Sequence, residues 1–255
     1  CKEAAVWAYA RHPNITPFYG ISALHEQSAP CLVSKCMSNG TVKSYLEARR
    51  STNRPKLVSG VAAGLEYLHD RSILHGDLKC DNILVDEDGN PCLADFGLAA
   101  LKYDDNTTFI EVSSRNGDGT TLWTAPEILY PGRFKLERAL LTKESDIWSF
   151  SLVMWEIFTG TFPFKDIQKP NQGPLETVDR VSRGHRTARP ARATALGLSD
   201  GMWSIMERCL QATPALRPSI ASIREELELL LKDFDSDSLE TPDPWPLEID
   251  PAPSQ

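Results

Sequence analysis

Four polar side chains between residues 77 and 95 have the types and the spacing that phosphoryl transfer requires. Asp77 offers a carboxylate that can accept the proton of an attacking hydroxyl group, and Lys79 offers a cation for the phosphate. Asn82 and Asp95 offer side-chain oxygens, which are the donors that Mg²⁺ prefers. Both residue types also favour turns, but their joint spacing with Asp77 makes turn formation alone a weak explanation.

The elements that must position these side chains follow from local patterns. Apolar residues recur at 57, 61, 65 and 68, which predicts an amphipathic helix before the site. A β-hairpin is predicted over 83–94, and the polar stretch 98–124 predicts a long functional loop. The remaining predictions are a helix over 2–11, strands over 17–24 and 30–34, a helix over 42–49, and helices near 143–159, 174–183, 199–211 and 217–232.

Composition and charge exclude several classes of protein. The net charge is −8, and residues 233–255 hold five Asp and two Glu without Lys or Arg, so nothing resembles a nucleic-acid-binding surface. The six cysteines form no CxxC pair, which indicates a reducing compartment. The most apolar stretch, 147–164, contains Glu156 and is broken by Gly160 and Pro163. We therefore predict a buried helix there, no membrane segment and a cytoplasmic location.

Six motifs between residues 3 and 230 carry a resemblance to a known family. They read LVSKCMSNGTVKSYL, HGDLKCDNILVDEDG, CLADFGLA, WTAPEIL, SDIWSFSLVMWEIFTG and LRPS. Together they resemble a protein kinase from the αC helix to the end of the large lobe, closest to the tyrosine-kinase-like (TKL) branch of Ser/Thr kinases and its fungal expansions. The resemblance implies an α+β, bilobal kinase fold with a mostly helical C-lobe and only a remnant of the β-rich N-lobe.

The same resemblance divides the chain into four parts. Residues 1–34 would be a remnant of the N-lobe, with the αC helix and the last two strands, and 35–40 would be the hinge. Residues 41–232 would form the C-lobe with the catalytic loop and the activation segment. The five prolines and seven acids of 233–255 predict a disordered tail.

The resemblance also assigns roles in catalysis and ATP binding. Asp77 would orient the substrate hydroxyl and accept its proton, Lys79 would steady the γ-phosphate, and Thr120 would lie against Asp77. Asn82 and Asp95 would bind Mg²⁺. The ATP site would comprise Glu3 of the αC helix, Ser34 at the gatekeeper position, the hinge residues Lys35 and Met37, and Leu84 beneath the adenine.

A further set of residues would support the site without touching the substrate. Glu127 and Arg217 match an ion pair that family members bury beneath the activation segment. Asp146 matches the residue that fixes the backbone of the catalytic loop. A regulatory stack would consist of Trp7, Phe18, His75 and Phe96, and Gly97 completes the Asp-Phe-Gly motif.

The chain departs from the family pattern in three respects. Gly76 replaces the arginine of His-Arg-Asp, so we expect that loop phosphorylation does not act through residue 76. Ser151 stands where most members have glycine. The sequence contains neither the G-x-G-x-x-G loop nor the Val-Ala-Ile-Lys lysine that would pair with Glu3. These residues alone are therefore expected to be an N-terminally incomplete, nearly inactive domain that exposes Trp7 and Phe18.

These observations favour a signalling protein kinase that transfers the γ-phosphate of ATP to Ser or Thr of a protein substrate. Lys79 and Thr120 favour Ser/Thr over Tyr. One alternative is a pseudokinase that acts as a binding scaffold; the missing lysine favours it, and the intact catalytic and metal residues oppose it. The other is a small-molecule phosphotransferase, since aminoglycoside and choline kinases share His-Gly-Asp-x-x-x-x-Asn, and Arg217 opposes it. The oligomeric state stays open.

Overall fold

A computed structural model describes residues 7–23, 31–95, 100–101, 120–169, 171–232, 234 and 239–251. Three residues assigned above, Glu3, Phe96 and Gly97, lie outside the described residues. Helices dominate the described part, and its strands are few and short. This confirms the predicted α+β class with a mostly helical body and a reduced sheet.

Seven α-helices occur in the described ranges, and six of them match helical patterns of the sequence. The exception is the shortest, a single turn of four residues. A further helical turn at 7–9 belongs to the predicted helix over 2–11. The seven are α1 (Val42–Ala48), α2 (Arg54–Asp70), α3 (Pro126–Leu129), α4 (Lys143–Thr159), α5 (Pro174–Ser182), α6 (Asp200–Cys209) and α7 (Ile220–Lys232).

The six strands of the described ranges form three antiparallel pairs. Strand β1 (Phe18–Ser22) pairs with β2 (Cys31–Ser34), and β3 (Ile73–Leu74) pairs with β6 (Ala100–Leu101). The third pair, β4 (Ile83–Val85) with β5 (Pro91–Leu93), is the predicted hairpin. Residue 15 adds a parallel bridge to the end of β5, which ties the first part of the chain to this hairpin.

Helix α4 is the central element, and its sequence explains both its ends and its burial. Thr142 and Ser145 form a capping box at its start, with bonds of 3.2 and 3.0 Å. Gly160 ends it with φ 70°, a left-handed conformation that favours glycine. Apolar side chains surround it, so it is buried on all sides. Like every other helix of the described ranges, it lacks the length and the apolar run needed to cross a membrane.

Helix α2 leads the chain to the site. Asn53 caps α2 by accepting the Lys56 N–H at 3.0 Å, and Pro55 occupies the first turn, where its missing N–H costs nothing. The apolar face predicted at 57, 61, 65 and 68 is buried in one core with α4 and α7. Strand β3 follows within three residues, so the loop after β3 starts from this core.

The tail differs from its prediction over residues 239–251. These residues lie against the large lobe, although 233–255 was predicted to be disordered. Trp245 and Leu247 are buried, and the Leu247 N–H donates to the Thr159 carbonyl at 2.8 Å. The acidic, proline-rich composition predicts disorder because most residues of the tail have little apolar surface to bury. These two apolar side chains are the exception.

Trp7 was predicted to be exposed, but only 6% of its surface is exposed. Phe18 stacks on it with 5.3 Å between ring centroids, and the Trp7 indole N–H donates to the Thr16 carbonyl at 2.7 Å. These contacts involve neighbours in sequence and need no further strand. The exposed apolar side chains of this region are instead Tyr9, Tyr19, Ile21 and Val33.

Candidate active site

One buried carboxylate holds the backbone at the start of the catalytic loop. Asp146, in the first turn of α4, accepts the N–H groups of His75 and Gly76, each at 2.9 Å. The His69 side chain lies 3.0 Å from the same carboxylate. Burial opposes ionisation of Asp146, but the contact with His69 and the backbone N–H groups outweigh it and lower the pKa of the carboxyl group.

The four residues that could perform or support phosphate transfer lie together. The Asn82 side-chain amide donates to the Asp77 carbonyl and to Asp77 Oδ2, each at 2.8 Å. Lys79 Nζ lies 3.3 Å from Asp77 Oδ2 and donates to Thr120 Oγ1 at 2.7 Å. Among the described residues, the buried Asp77 Oδ1 has no hydrogen-bond partner. Buried polar atoms are nearly always hydrogen-bonded, so an acceptor without a partner at this position is unusual.

A backbone hydrogen bond brings together the two chain segments that carry the proposed metal ligands. The Ala94 N–H donates to the Asn82 carbonyl at 2.9 Å, so Asp95, the next residue, begins beside Asn82. Asp95 has φ 54°, a left-handed conformation that Asp tolerates better than most residues. No three His, Cys, Asp or Glu side chains of the described ranges converge as a complete metal cage. Mg²⁺ needs no such cage, because phosphates and water supply most of its ligands.

The predicted hinge lies over the β4–β5 hairpin. The Lys35 N–H donates to the Pro17 carbonyl at 2.9 Å, and the Val85 N–H donates to the Gly40 carbonyl at 2.9 Å. Met37 is buried, and Leu84 pairs with the residue that follows the hinge. The hinge backbone and Leu84 are thus close, as the ATP-site prediction requires. Ser34 closes the β1–β2 pair and is half-buried.

The predicted ion pair is in place and fully buried. Arg217 binds both Glu127 oxygens, at 2.6 and 2.8 Å. Two further N–H groups of the guanidinium reach the Glu144 carbonyl at 2.8 Å and the Gln211 carbonyl at 3.0 Å. The central carbon of the Arg217 guanidinium also lies 5.0 Å from the centre of the Trp148 ring. Such extensive hydrogen bonding is what makes a buried pair tolerable.

The predicted regulatory stack is seen in part. Trp7 and Phe18 contact each other as stated above. His75 is fully buried; its backbone N–H donates to Asp146, and its Nδ1 accepts the Asp77 N–H at 3.3 Å. Burial lowers the pKa of His75, so the ring is neutral at pH 7. The fourth member of the stack lies outside the described residues.

The site contains one residue that sequence reasoning missed. Glu156 Oε2 accepts the Cys80 N–H at 3.0 Å and the Trp123 indole N–H at 2.6 Å. It thereby joins the catalytic loop to the segment before Ala125-Pro126-Glu127. Burial raises the pKa of Glu156 to about 7. In the sequence, Glu156 is distinguished only as the single acid in the most apolar stretch of the chain, where it argues against a membrane span.

Comparison with known proteins identifies the family. The family model of protein tyrosine and serine/threonine kinases matches residues 1–227. The chain therefore belongs to this family. The match covers most of the chain, and it confirms the predicted kinase fold with a reduced N-lobe sheet.

Individual relatives include kinases of both specificities. "Probable serine/threonine-protein kinase drkD" of Dictyostelium discoideum is 32% identical over 100% of this chain and 19% of its own length. Serine/threonine-protein kinase STY17 of Arabidopsis thaliana is 30% identical over 92% of this chain and 38% of its own length. Tyrosine-protein kinase SPK-1 of Girardia tigrina is 30% identical over 91% and 45%. The chain thus spans less than half the length of each of these relatives.

Proposed function

We propose that the chain is the catalytic domain of a TKL-type Ser/Thr protein kinase, of the kind expanded in fungi, that acts in cytoplasmic signalling. It would transfer the γ-phosphate of ATP to a hydroxyl group of a protein substrate. One observation supports this most strongly. Asp77, Lys79 and Thr120 form one connected cluster, and a buried oxygen of Asp77 has no hydrogen-bond partner among the described residues.

Asp77 would act on the substrate hydroxyl through Oδ1. Asn82 holds the carbonyl and Oδ2 of Asp77, so the carboxylate is fixed while Oδ1 has no partner among the described residues. Oδ1 would orient the hydroxyl and accept its proton as the new O–P bond forms. Lys79, held between Asp77 and Thr120, would stabilise charge on the transferred phosphate. The resemblance associates this lysine and threonine with Ser/Thr specificity.

The described residues fit ATP and Mg²⁺. The Asn82 side chain and the Asp95 carboxylate supply two oxygens, which is the number that Mg²⁺ usually takes from a protein. Mg²⁺, when bound, would neutralise charge on the phosphates. The Lys35 carbonyl and the Met37 N–H would bind the adenine edge, with Leu84 beneath the base. The Lys35 side chain is ion-paired with Glu87 at 2.8 Å, so only its backbone is assigned to the nucleotide.

The pseudokinase alternative depends on the small lobe. Residues 1–255 include no glycine-rich loop and no Val-Ala-Ile-Lys lysine, so we propose that they transfer phosphate poorly by themselves. A scaffold function would need no arrangement of Asp77 with Lys79 and Thr120, and their contacts favour the enzyme. A small-molecule phosphotransferase is disfavoured by the buried Glu127–Arg217 pair, which supports a protein-binding segment.

The test replaces Asp77 by Asn in the full-length protein. Because Asn cannot accept the proton, transfer of phosphate to a generic protein substrate should fall by a factor of about 10² or more, while ATP binding persists. Asp88→Asn is the matched control, since Asp88 is an exposed carboxylate in the turn of the β4–β5 hairpin. Equal activity of Asp77→Asn and wild type would contradict the assignment.

A further inference from the structure

The tail segment 239–251 is attached to the large lobe by backbone hydrogen bonds near both of its ends. The Glu240 N–H donates to the Ala195 carbonyl at 3.0 Å, and the Leu247 N–H donates to the Thr159 carbonyl at 2.8 Å. Backbone bonds at two separated positions hold the segment in one register. The residue between them with the largest buried side chain is Trp245.

Trp245 fills a defined space on the lobe. Its ring centre lies 4.5 Å from the guanidinium carbon of Arg54, a cation–π contact. Gly160 leaves room for the indole, because a Cβ there would come within 2.7 Å of the ring. Arg54 is itself buried, and its Nη2 has no hydrogen-bond partner among the described residues. Contact with the indole face therefore offsets part of the cost of burying this charge.

Behind the indole lies a cavity that extends to the catalytic loop. The cavity is small, with a volume of about 10 Å³, which is about the space of one water molecule. Trp245 and Gly160 line one side, α1 lines another, and Cys80 and Glu156 complete it. Trp245 thus shares a cavity with the carboxyl group that binds both the catalytic loop and Trp123.

We propose that segment 239–251 is a working part of the catalytic domain and that Trp245 is a positioning residue for phosphate transfer. The indole closes the cavity and so keeps Glu156 in place between the catalytic loop and the segment that contains Trp123. The proposal deepens the kinase function proposed above and rests on it. Through Glu156, the tail determines where Cys80 lies, two residues before Asn82.

The charges around Glu156 explain why closure matters. Lys43 and Glu47 of α1 line the same cavity, and Asp81 of the catalytic loop adds a nearby negative charge. With the indole in place, the carboxyl group is desolvated and its oxygen serves the two N–H donors. Without the indole, water reaches the carboxyl group, favours its ionised form and competes with both donors.

The first test measures closure in the full-length protein by the rate at which iodoacetamide labels Cys80. Peptide mass spectrometry compares wild type with Trp245→Ala and with Trp203→Ala, which removes a half-buried indole outside the cavity. Cys209, buried on α6, is the internal reference. We expect Trp245→Ala alone to accelerate labelling of Cys80, on the order of tenfold, and to leave Cys209 unchanged. Equal acceleration at Cys209 would mean general loosening and would overturn the proposal.

The second test follows the Trp123 indole N–H resonance by NMR as the pH changes. In wild type this resonance should titrate near pH 7, because its acceptor is Glu156. Trp245→Ala should lower the midpoint by about one unit or more, and Trp245→Phe should restore it in part because an aromatic wall remains. An unchanged midpoint in Trp245→Ala would overturn the proposal.

The third test measures phosphate transfer with the same proteins. In Trp245→Ala, kcat should fall on the order of tenfold with an unchanged KM for ATP, because the hinge is untouched. An unchanged kcat would overturn the positioning role. A wild type that transfers no phosphate would instead contradict the kinase function, and the labelling and the titration would still decide whether Trp245 closes the cavity onto Glu156.

Discussion

Gly76 takes the conformation that its hydrogen bonds require. Its N–H and that of His75 converge on the single carboxylate of Asp146, and the chain reaches this arrangement with φ 78° at Gly76. Residues with a Cβ are strained in this region, whereas glycine is not. Gly76, which replaces the family arginine, therefore allows this loop conformation without backbone strain. The same replacement removes a side chain that could bind a phosphate.

Replacing Gly76 by Ala should lower the free energy of unfolding by about 1–2 kcal/mol. The added Cβ makes the left-handed conformation unfavourable while the hydrogen bond to Asp146 still demands it. Urea denaturation measures the change. Gly132→Ala is the control, because Gly132 has no positive φ and nothing within 4 Å of an added Cβ. A loss of the same size in both variants would show that the backbone conformation at Gly76 is not responsible.

The contacts among Asp77, Lys79 and Asn82 could be anticipated from sequence because their spacing is local. Asp77, Lys79 and Asn82 lie within six residues, so one turn of chain brings them together. Glu156 could not be anticipated, because it meets Cys80 across 76 residues and Trp123 across 33. Only the packing of α4 against the catalytic loop creates that contact, and no local pattern encodes it.

At the scale of elements, α4 supports the site at both of its ends. Asp146 in its first turn holds the start of the catalytic loop, and Glu156 in its last turn holds Cys80 farther along the same loop. The pKa values of the two carboxyl groups are shifted in opposite directions. Contacts with donors lower the pKa of Asp146, whereas burial raises the pKa of Glu156 to about 7.

The raised pKa of Glu156 predicts a specific pH dependence of stability. The folded value of about 7 exceeds the ordinary value of 4.5, so the folded protein binds the proton more tightly than the unfolded chain does. The stabilisation is fully present below pH 4.5 and is lost as the pH rises through 7. The difference corresponds to about 3 kcal/mol.

Glu156→Gln isolates this effect, because glutamine can still accept both N–H groups but does not titrate. Urea denaturation at pH 5 and at pH 8 should show that wild type loses stability relative to Glu156→Gln as the pH rises. Other titrating groups cancel in the comparison of the two proteins. A constant difference between the proteins at both pH values would contradict a carboxyl group that stays protonated up to pH 7.

The Glu127–Arg217 pair joins α3 to the turn that precedes α7. Arg217→Ala should lower the free energy of unfolding by about 3–5 kcal/mol, because Glu127 would remain buried without its partner. Arg224→Ala is the matched control, since Arg224 forms partly exposed ion pairs with Glu66 and Glu228, and should cost about 1 kcal/mol or less. Chemical denaturation compares them, and similar losses would argue against a special role for the buried pair.

Element boundaries were anticipated in part where capping signals are present. Helix α4 was predicted near 143–159, between Thr142 and Gly160, whereas α2 was predicted from residue 57 and begins at residue 54, after its cap Asn53. The short helix α3 was not anticipated, because its four residues are too few to show a period and follow a stretch predicted to be loop. Its position depends instead on the long-range pair between Glu127 and Arg217.

At the scale of the whole molecule, the acidic tail is part of the lobe over 239–251. An average over 23 residues predicted disorder, whereas two apolar side chains, Trp245 and Leu247, decide the outcome for this segment. The space for the indole is created by Gly160 at the end of α4. A prediction of docking would have required knowing that this glycine, Arg54 and the tail meet.

Unlike the tail segment, the described small-lobe residues 7–23 and 31–34 leave several apolar side chains exposed. Their described part packs through Trp7 and Phe18, yet Tyr19, Ile21 and Val33 of the β1–β2 pair remain exposed. Exposed apolar strand residues of this kind favour association with other protein surfaces. Biochemical tests therefore require the full-length protein.

The most direct test of the central claim is transfer of radioactive phosphate from ATP, labelled at its γ-position, to a protein substrate by the full-length protein, followed by phosphoamino-acid analysis. The account predicts label in phosphoserine and phosphothreonine, dependent on Mg²⁺ and lost in Asp77→Asn. Label confined to phosphotyrosine would contradict the assigned specificity. A wild type that labels no more than Asp77→Asn would contradict the enzyme and favour a pseudokinase.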